Sequence, residues 1–141
     1  MQRLFLDANV LVSVLNKEYP LFPLSSRILS LASNPKFEIY TSPLCLAIAF
    51  YFAEKKHNTQ VAKQKIELLC RHLKIAENLS DGVYSTLANK KINDFEDGLE
   101  YYAAVKSKCN FIITEDKEDF YFSELKVMNC KNFFEQQLFL G

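Results

Sequence analysis

LFLDANVLVSVL, residues 4–15, decides how this chain is read. Three apolar residues stop at Asp7, the pattern of a short buried strand, and ANVLVSVL follows with apolar spacing suited to a short helix. A strand running straight into a helix is the first half of a βα unit. The same pattern returns downstream. FEIYTS, residues 37–42, reads as a second strand, and Ser42-Pro43 opens a helix with serine as cap and proline in the first turn. NFIIT, residues 110–114, is the strongest strand signal, a β-branched and aromatic run closed by charge.

The remaining segments fit the same alternation. YPLFP, residues 19–23, breaks the order, and a helix over 24–32 ends at Asn34-Pro35. LCLAIAFYFAEKK, residues 44–56, is apolar almost to its end and reads as a helix buried through the core. Asn58-Thr59 separates it from a helix over 60–72, and 73–76 is a short strand. Helices are expected over 78–89 and 94–108, a strand over 125–129 and a closing helix in KNFFEQQLFL. Short apolar strands alternating with helices predict an α/β fold, its parallel sheet covered on both faces. At 141 residues the chain is read as one domain spanning 1–141.

Composition narrows the function classes. Lys plus Arg and Asp plus Glu are both 17, so no global field draws the protein to nucleic acid or to a membrane surface. Cys45, Cys70, Cys109 and Cys130 are widely spaced with no CxxC pair, which predicts free thiols in a reducing compartment. Arg3, Asp7 and Asn9 interrupt the N-terminal apolar run and make it a poor signal peptide. No segment reaches the roughly 20 apolar residues of a membrane span. A cytoplasmic location with no membrane partner is the expectation. Gly-rich phosphate loops, a nucleophile elbow and a credible Cys–His dyad are all missing.

The acids are the chemical signal. In an open parallel sheet, ligands bind beyond the carboxyl ends of the strands. Asp7 directly follows the first strand, and Asp116 lies two residues beyond Thr114, so both should project from one edge. NDFEDGLE, residues 93–100, brings four more carboxylates to the start of a helix. Helical spacing gives Phe95, Leu99, Tyr102, Ala103 and Lys106 a common stripe, expected to face the core. Asp94 and Asp97 fall on the other side, within roughly 60° of each other, with Glu100 flanking and Glu96 pointing further away. That ranks Asp97 first, Asp94 second, Glu100 third and Glu96 last. Converging carboxylates repel unless a cation neutralises them, and hard oxygen donors suit Mg²⁺ or Mn²⁺. Such a metal activates water and stabilises charge on a phosphate, so phosphodiester hydrolysis is the natural chemistry. The residues alone leave open a simpler reading, in which the same acids cap helices and coat a solvated face.

LFLDANVLVSVL, TSPLCLAIAFYF, NDFEDGLEYYAA and NFIITEDKEDF, in that order and spacing, resemble the PIN domain family over nearly the whole chain. The likeness is to the branch with a DFED-type helix start. The resemblance implies a three-layer α/β/α fold with a central, mainly parallel sheet and a carboxylate site for Mg²⁺ or Mn²⁺. It also implies ribonuclease activity, RNA as substrate and, for many members, the toxin role of a toxin–antitoxin pair with a small antitoxin protein as partner. By the same resemblance Asp7, Asp97 and Asp116 hold the metal, Asp94 assists, and Asn9 and Thr114 orient the site. Asp119 is expected to make a turn or cap bond first and to serve the metal second. One position departs from the pattern. Where many members carry a glutamate in the helix after the second strand, this chain has Ile48 between Ala47 and Ala49. Glu54 lies about 9 Å further along that helix and is a poor substitute. A catalytically degenerate PIN-like binding or regulatory module is therefore the alternative. A different α/β hydrolase or phosphatase is a third reading, for which no nucleophile stands in a recognisable setting.

Two basic groups, Lys55, Lys56, His57, Lys63 and Lys65 in one and Lys90 and Lys91 in the other, are able to steer RNA or simply coat solvated helix faces. His57 is expected on the surface and His72 partly packed. Twelve phenylalanines and seven tyrosines are many for one small core. Tyr19, Phe22 and the run Phe50-Tyr51-Phe52 are therefore candidates for a homodimer or antitoxin interface. Phe133, Phe134, Leu138 and Phe139 are the alternative users of that surplus, sealing the C-terminal edge.

Overall fold

Each of the strands expected from the apolar runs forms, and each pairs in parallel. The computed structural model describes residues 1–140, with backbone only for 138–140. The strands are β1 (Gln2–Leu6), β2 (Phe37–Thr41), β3 (Lys74–Ile75), β4 (Phe111–Ile113) and β5 (Lys126–Met128), in the order β3-β2-β1-β4-β5. Leu4 pairs with Ile39 on one side and with Phe111 on the other. The helices are α1 (Ala8–Leu15), α2 (Phe22–Ser30), α3 (Pro43–Lys56), α4 (Thr59–Cys70), α5 (Ser80–Ala88), α6 (Phe95–Lys106) and α7 (Cys130–Leu140). A 3-10 turn, Leu31–Ser33, follows α2, and a second, Lys117–Phe120, follows β4.

Connections through α1 to α4 step from β1 outward to β3, and α5 and α6 bring the chain back to β4 on the other side of β1. Right-handed crossovers place those two sets on opposite faces of the sheet. The direction of winding reverses between β1 and β4, the position where such sheets open a ligand crevice. Leu4, Phe5, Leu6, Ile112 and Ile113 are fully buried, as strands covered on both faces must be. Phe133 of α7 meets Phe37 of β2 and Phe111 of β4 edge-on at 6.2 and 6.3 Å, packing against the middle of the sheet. Phe134 is half-buried under the Arg27 guanidinium, 4.3 Å from its ring centre. Leu138 and Phe139, expected beside them, lie outside the described side chains.

Three expectations are corrected. The helix α3 does not run buried through the core: Cys45, Ala49 and Ala53 form its buried stripe, while Tyr51 and Phe52 are exposed. Its small residues allow close approach to α1 and α4, and an apolar sequence with no polar face hides that one-sided packing. The core stripe of α6 is also different. Phe95 is 46% exposed, and the buried residues are Gly98, Glu100, Tyr101, Ala103 and Ala104. The helix is covered on more than one side, by α5 and by α3 and the second 3-10 turn, so one amphipathic stripe does not describe it. His72 is exposed, not packed, because the chain turns out of α4 there.

The contact between α5 and α6 depends on Gly98. A Cβ there would sit 2.3 Å from Thr86 Cγ2 and 3.0 Å from Ile92 Cγ2. Gly98→Ala is expected to destabilise the fold by about 1–3 kcal/mol through overpacking, read as a lower thermal midpoint. An unchanged midpoint would mean that α5 gives way without cost.

Candidate metal centre

Asp7 is the pivot of the site. The β1 ladder carries on one residue beyond the strand, with Asp7 N donating to Ile113 O at 3.1 Å. The chain then turns into α1, and Asp7 caps that helix, its Oδ1 accepting from Ala8 N at 2.6 Å. The other oxygen, Oδ2, accepts from Thr114 Oγ1 at 2.7 Å and from Asn9 Nδ2 at 3.3 Å. Asn9 Nδ2 also reaches Thr114 Oγ1 at 3.0 Å and Asp116 Oδ2 at 3.2 Å. Asp116 N donates back to Thr114 Oγ1 at 3.1 Å. Asn9 and Thr114 therefore lock the ends of β1 and β4 into one network that fixes two carboxylates.

Asp97 arrives from the first turn of α6. Asp94 is the N-cap of that helix, its Oδ1 accepting from Asp97 N at 3.0 Å, and it is exposed. Its contact with the site runs through this cap: it holds the turn that carries Asp97. Asp7, Asn9, Asp97, Asp116 and Asp119 line one cavity of about 390 Å³ beyond the carboxyl ends of β1 and β4. Asp119, for which a turn or cap bond came first among expectations, lines this cavity, and its backbone N–H donates to Asp116 O within the 3-10 turn.

Sequence spacing undervalued other members. Glu96, ranked last, lines the cavity, as does Glu18 from the turn after α1. Glu100, ranked third, is 3% exposed, its Oε1 accepting from Cys45 Sγ at 2.8 Å. The metal-ligating atoms of Asp7, Cys45 and Glu100 all lie within 4.8 Å of one another. The i,i+3 spacing of Asp97 and Glu100 was the available signal, obscured by assigning the core to the opposite face of α6. Ile48 lines the same cavity beside Phe52, so the apolar departure seen in the sequence is at the site itself.

The electrostatics are those of crowded carboxyl groups without a basic neighbour among the described residues of the cavity wall. Seven of the twelve cavity-lining residues are acids and none is basic. Burial raises the Asp97 carboxyl to about 7, with Asp94, Asp119, Asp7 and Glu96 adding repulsion. Burial raises Glu100 to about 11, helped by its hydrogen bond to Asp7 and the charge there. The Cys45 thiol is pushed well up, first by burial and then by Glu100 and Asp7, so it stays a donor to Glu100 and not a soft ligand. The remaining donors are hard oxygens that suit a hard divalent cation.

The PIN domain family matches residues 3–118. This chain is a PIN domain. It is 24% identical to ribonuclease VapC1 of Aquifex aeolicus over 144 residues, covering 96% of this chain and 95% of that protein. The fold superposes on VapBC-1 from nontypeable Haemophilus influenzae with a TM-score of 0.71 at 20% identity, covering 92% of this chain and 99% of that one. It also superposes on Mycobacterium tuberculosis VapC20, a sarcin-ricin loop cleaving toxin, with a TM-score of 0.65 at 14% identity and coverage of 87% and 98%. PIN nucleases generally use divalent metal ions, and this PIN domain carries an acidic cluster of fitting chemistry. Among the described residues, no helix is long and apolar enough to cross a membrane.

Proposed function

We propose that this PIN domain is a divalent-metal-dependent endoribonuclease, using Mg²⁺ or Mn²⁺, and the toxin of a toxin–antitoxin pair acting in the cytoplasm. One observation carries the reading: a cavity at the β1–β4 reversal whose described lining has seven acidic residues and no basic one. Asp7, Asp97 and Asp116 hold the metal directly or through water. When bound, the metal supplies an activated water and stabilises the charge that develops on the phosphate. The protein's own residues prepare the place. Asn9 and Thr114 fix the Asp7 and Asp116 carboxylates, and Asp94 fixes the helix turn behind Asp97. Asp119 stands at the rim.

The relatives' printed activities support the substrate class, a ribonuclease in one case and a cleaver of a ribosomal RNA loop in another. Lys90 and Lys91 are both exposed in the turn just ahead of α6, well placed to hold an RNA backbone near the cavity. Tyr19, Tyr51 and Phe52 are exposed at 72%, 55% and 44% and offer apolar surface to an antitoxin or to a second copy of the chain. Ile48 in the cavity wall favours one rival, a PIN domain that retains binding without cleavage.

Purified, partner-free protein incubated with a mixed RNA pool is expected to cleave it with Mn²⁺ or Mg²⁺ and to stop when the metal is chelated. No cleavage under any metal condition would favour the rival reading.

A further inference from the structure

Glu100 stands at the base of the acidic cavity, and the fold does not require an acid there. It is 3% exposed, on the second turn of α6, with one carboxyl oxygen taken by the Cys45 thiol and its ligating atom within 4.8 Å of that of Asp7. Two buried carboxyl groups this close, with no basic side chain among the described residues of the cavity wall, repel each other once ionised unless something positive joins them. A glutamine or a leucine would fill the same space at lower cost. From α3, Ile48 lines the cavity, and Cys45, one turn earlier, is bonded to Glu100 behind it. That helix therefore brings a thiol donor and an aliphatic wall, and no oxygen ligand. The carboxyl group that bonds to Cys45 of α3 is one that α6 sends across to it.

We propose that Glu100 is a fourth oxygen ligand of the divalent cation at the Asp7 centre, supplied by α6 where α3 supplies none, with the Cys45 thiol as the positioning group that aims it. The inference rests on the metal-site reading above and adds a ligand to it. Cys45 acts only through Glu100: its S–H fixes one oxygen and leaves the other for the cation. Because Ile48 borders the same cavity from α3, a carboxylate built at 48 would enter it from the opposite wall and take over the missing charge.

The test is Mn²⁺ binding by calorimetry on metal-stripped protein, without RNA. The proteins compared are wild type, Asp97→Asn, Glu100→Gln and the double variant Glu100→Gln/Ile48→Glu, with thermal unfolding run beside each to establish folding. Glu100→Gln, which keeps size and hydrogen-bonding capacity, is expected to weaken Mn²⁺ about 10- to 100-fold, and Ile48→Glu to restore most of that loss. Glu100→Gln protein that binds Mn²⁺ as wild type does, or a loss that Ile48→Glu leaves in place, overturns the assignment. If Asp97→Asn still weakens binding in that case, the metal centre stands and only Glu100 falls. A wild type that takes up no Mn²⁺ removes both.

Discussion

Asp97→Asn is expected to lower metal-dependent RNA cleavage by at least about 1,000-fold while leaving the fold intact. The side chain sits in the first turn of α6 at the cavity, and its amide equivalent keeps the shape but loses the charge proposed to hold a cation. The Asp94 cap bonds the backbone N–H of residue 97, so the substitution does not disturb it. Metal-free Asp97→Asn should also be more stable than wild type at and above neutral pH. The wild-type carboxyl, raised to about 7 by burial first and by neighbouring acids second, opposes its own ionisation there. Single-turnover cleavage paired with thermal unfolding in chelator checks both halves. Residual cleavage within tenfold of wild type would move the metal away from Asp97.

Glu100→Gln is expected to raise the stability of the metal-free protein near neutral pH. Its carboxyl is raised from 4.5 to about 11, by burial first and by Asp7 second. Below about 4.5 the folded and unfolded states both keep the proton, and the residue adds no pH dependence. Between that value and 11 the unfolded chain releases the proton while the folded chain retains it, so stability falls as pH rises. By pH 7 that cost reaches about 3 kcal/mol. Glutamine removes it and keeps the bond from Cys45, since its carbonyl oxygen still accepts. The expected pattern is a higher unfolding midpoint for Glu100→Gln at pH 7 to 8, converging on wild type near pH 4.5. A gap independent of pH, or a lower midpoint, would contradict a buried neutral acid at this position. A stability gain coupled to a metal-affinity loss is the general signature of a charged site strained for function.

These effects trace to residues that differed in how well the sequence announced them. Asp7 and Asp116 were legible because their positions are set by chain direction: each follows an apolar strand, and parallel strands deliver their ends to one edge. Ser42-Pro43 announced α3 for an equally local reason, and the Ser42 hydroxyl does accept from Cys45 N at 3.2 Å. The facing of α6 was not legible. Periodicity finds one apolar stripe, whereas this helix buries Gly98 against Thr86 of α5 and Glu100 against Cys45 of α3. Small and acidic residues on buried faces carry no hydropathy signal, which is why Glu100 ranked behind Asp94. The reverse error befell α3, where uniform apolarity concealed that Tyr51 and Phe52 are exposed. The RNA and antitoxin expectations drew on the family resemblance, and no spacing in the chain would have supplied them.

A Mn²⁺-soaked crystal, read by anomalous scattering, puts the central claim to its most direct test. The account predicts one Mn²⁺ peak in the cavity, coordinated directly or through water by the carboxylates of Asp7, Asp97 and Asp116, with direct ligands at roughly 2.0–2.3 Å. A cavity without a peak at millimolar Mn²⁺, or a peak bound away from all three aspartates, would contradict it.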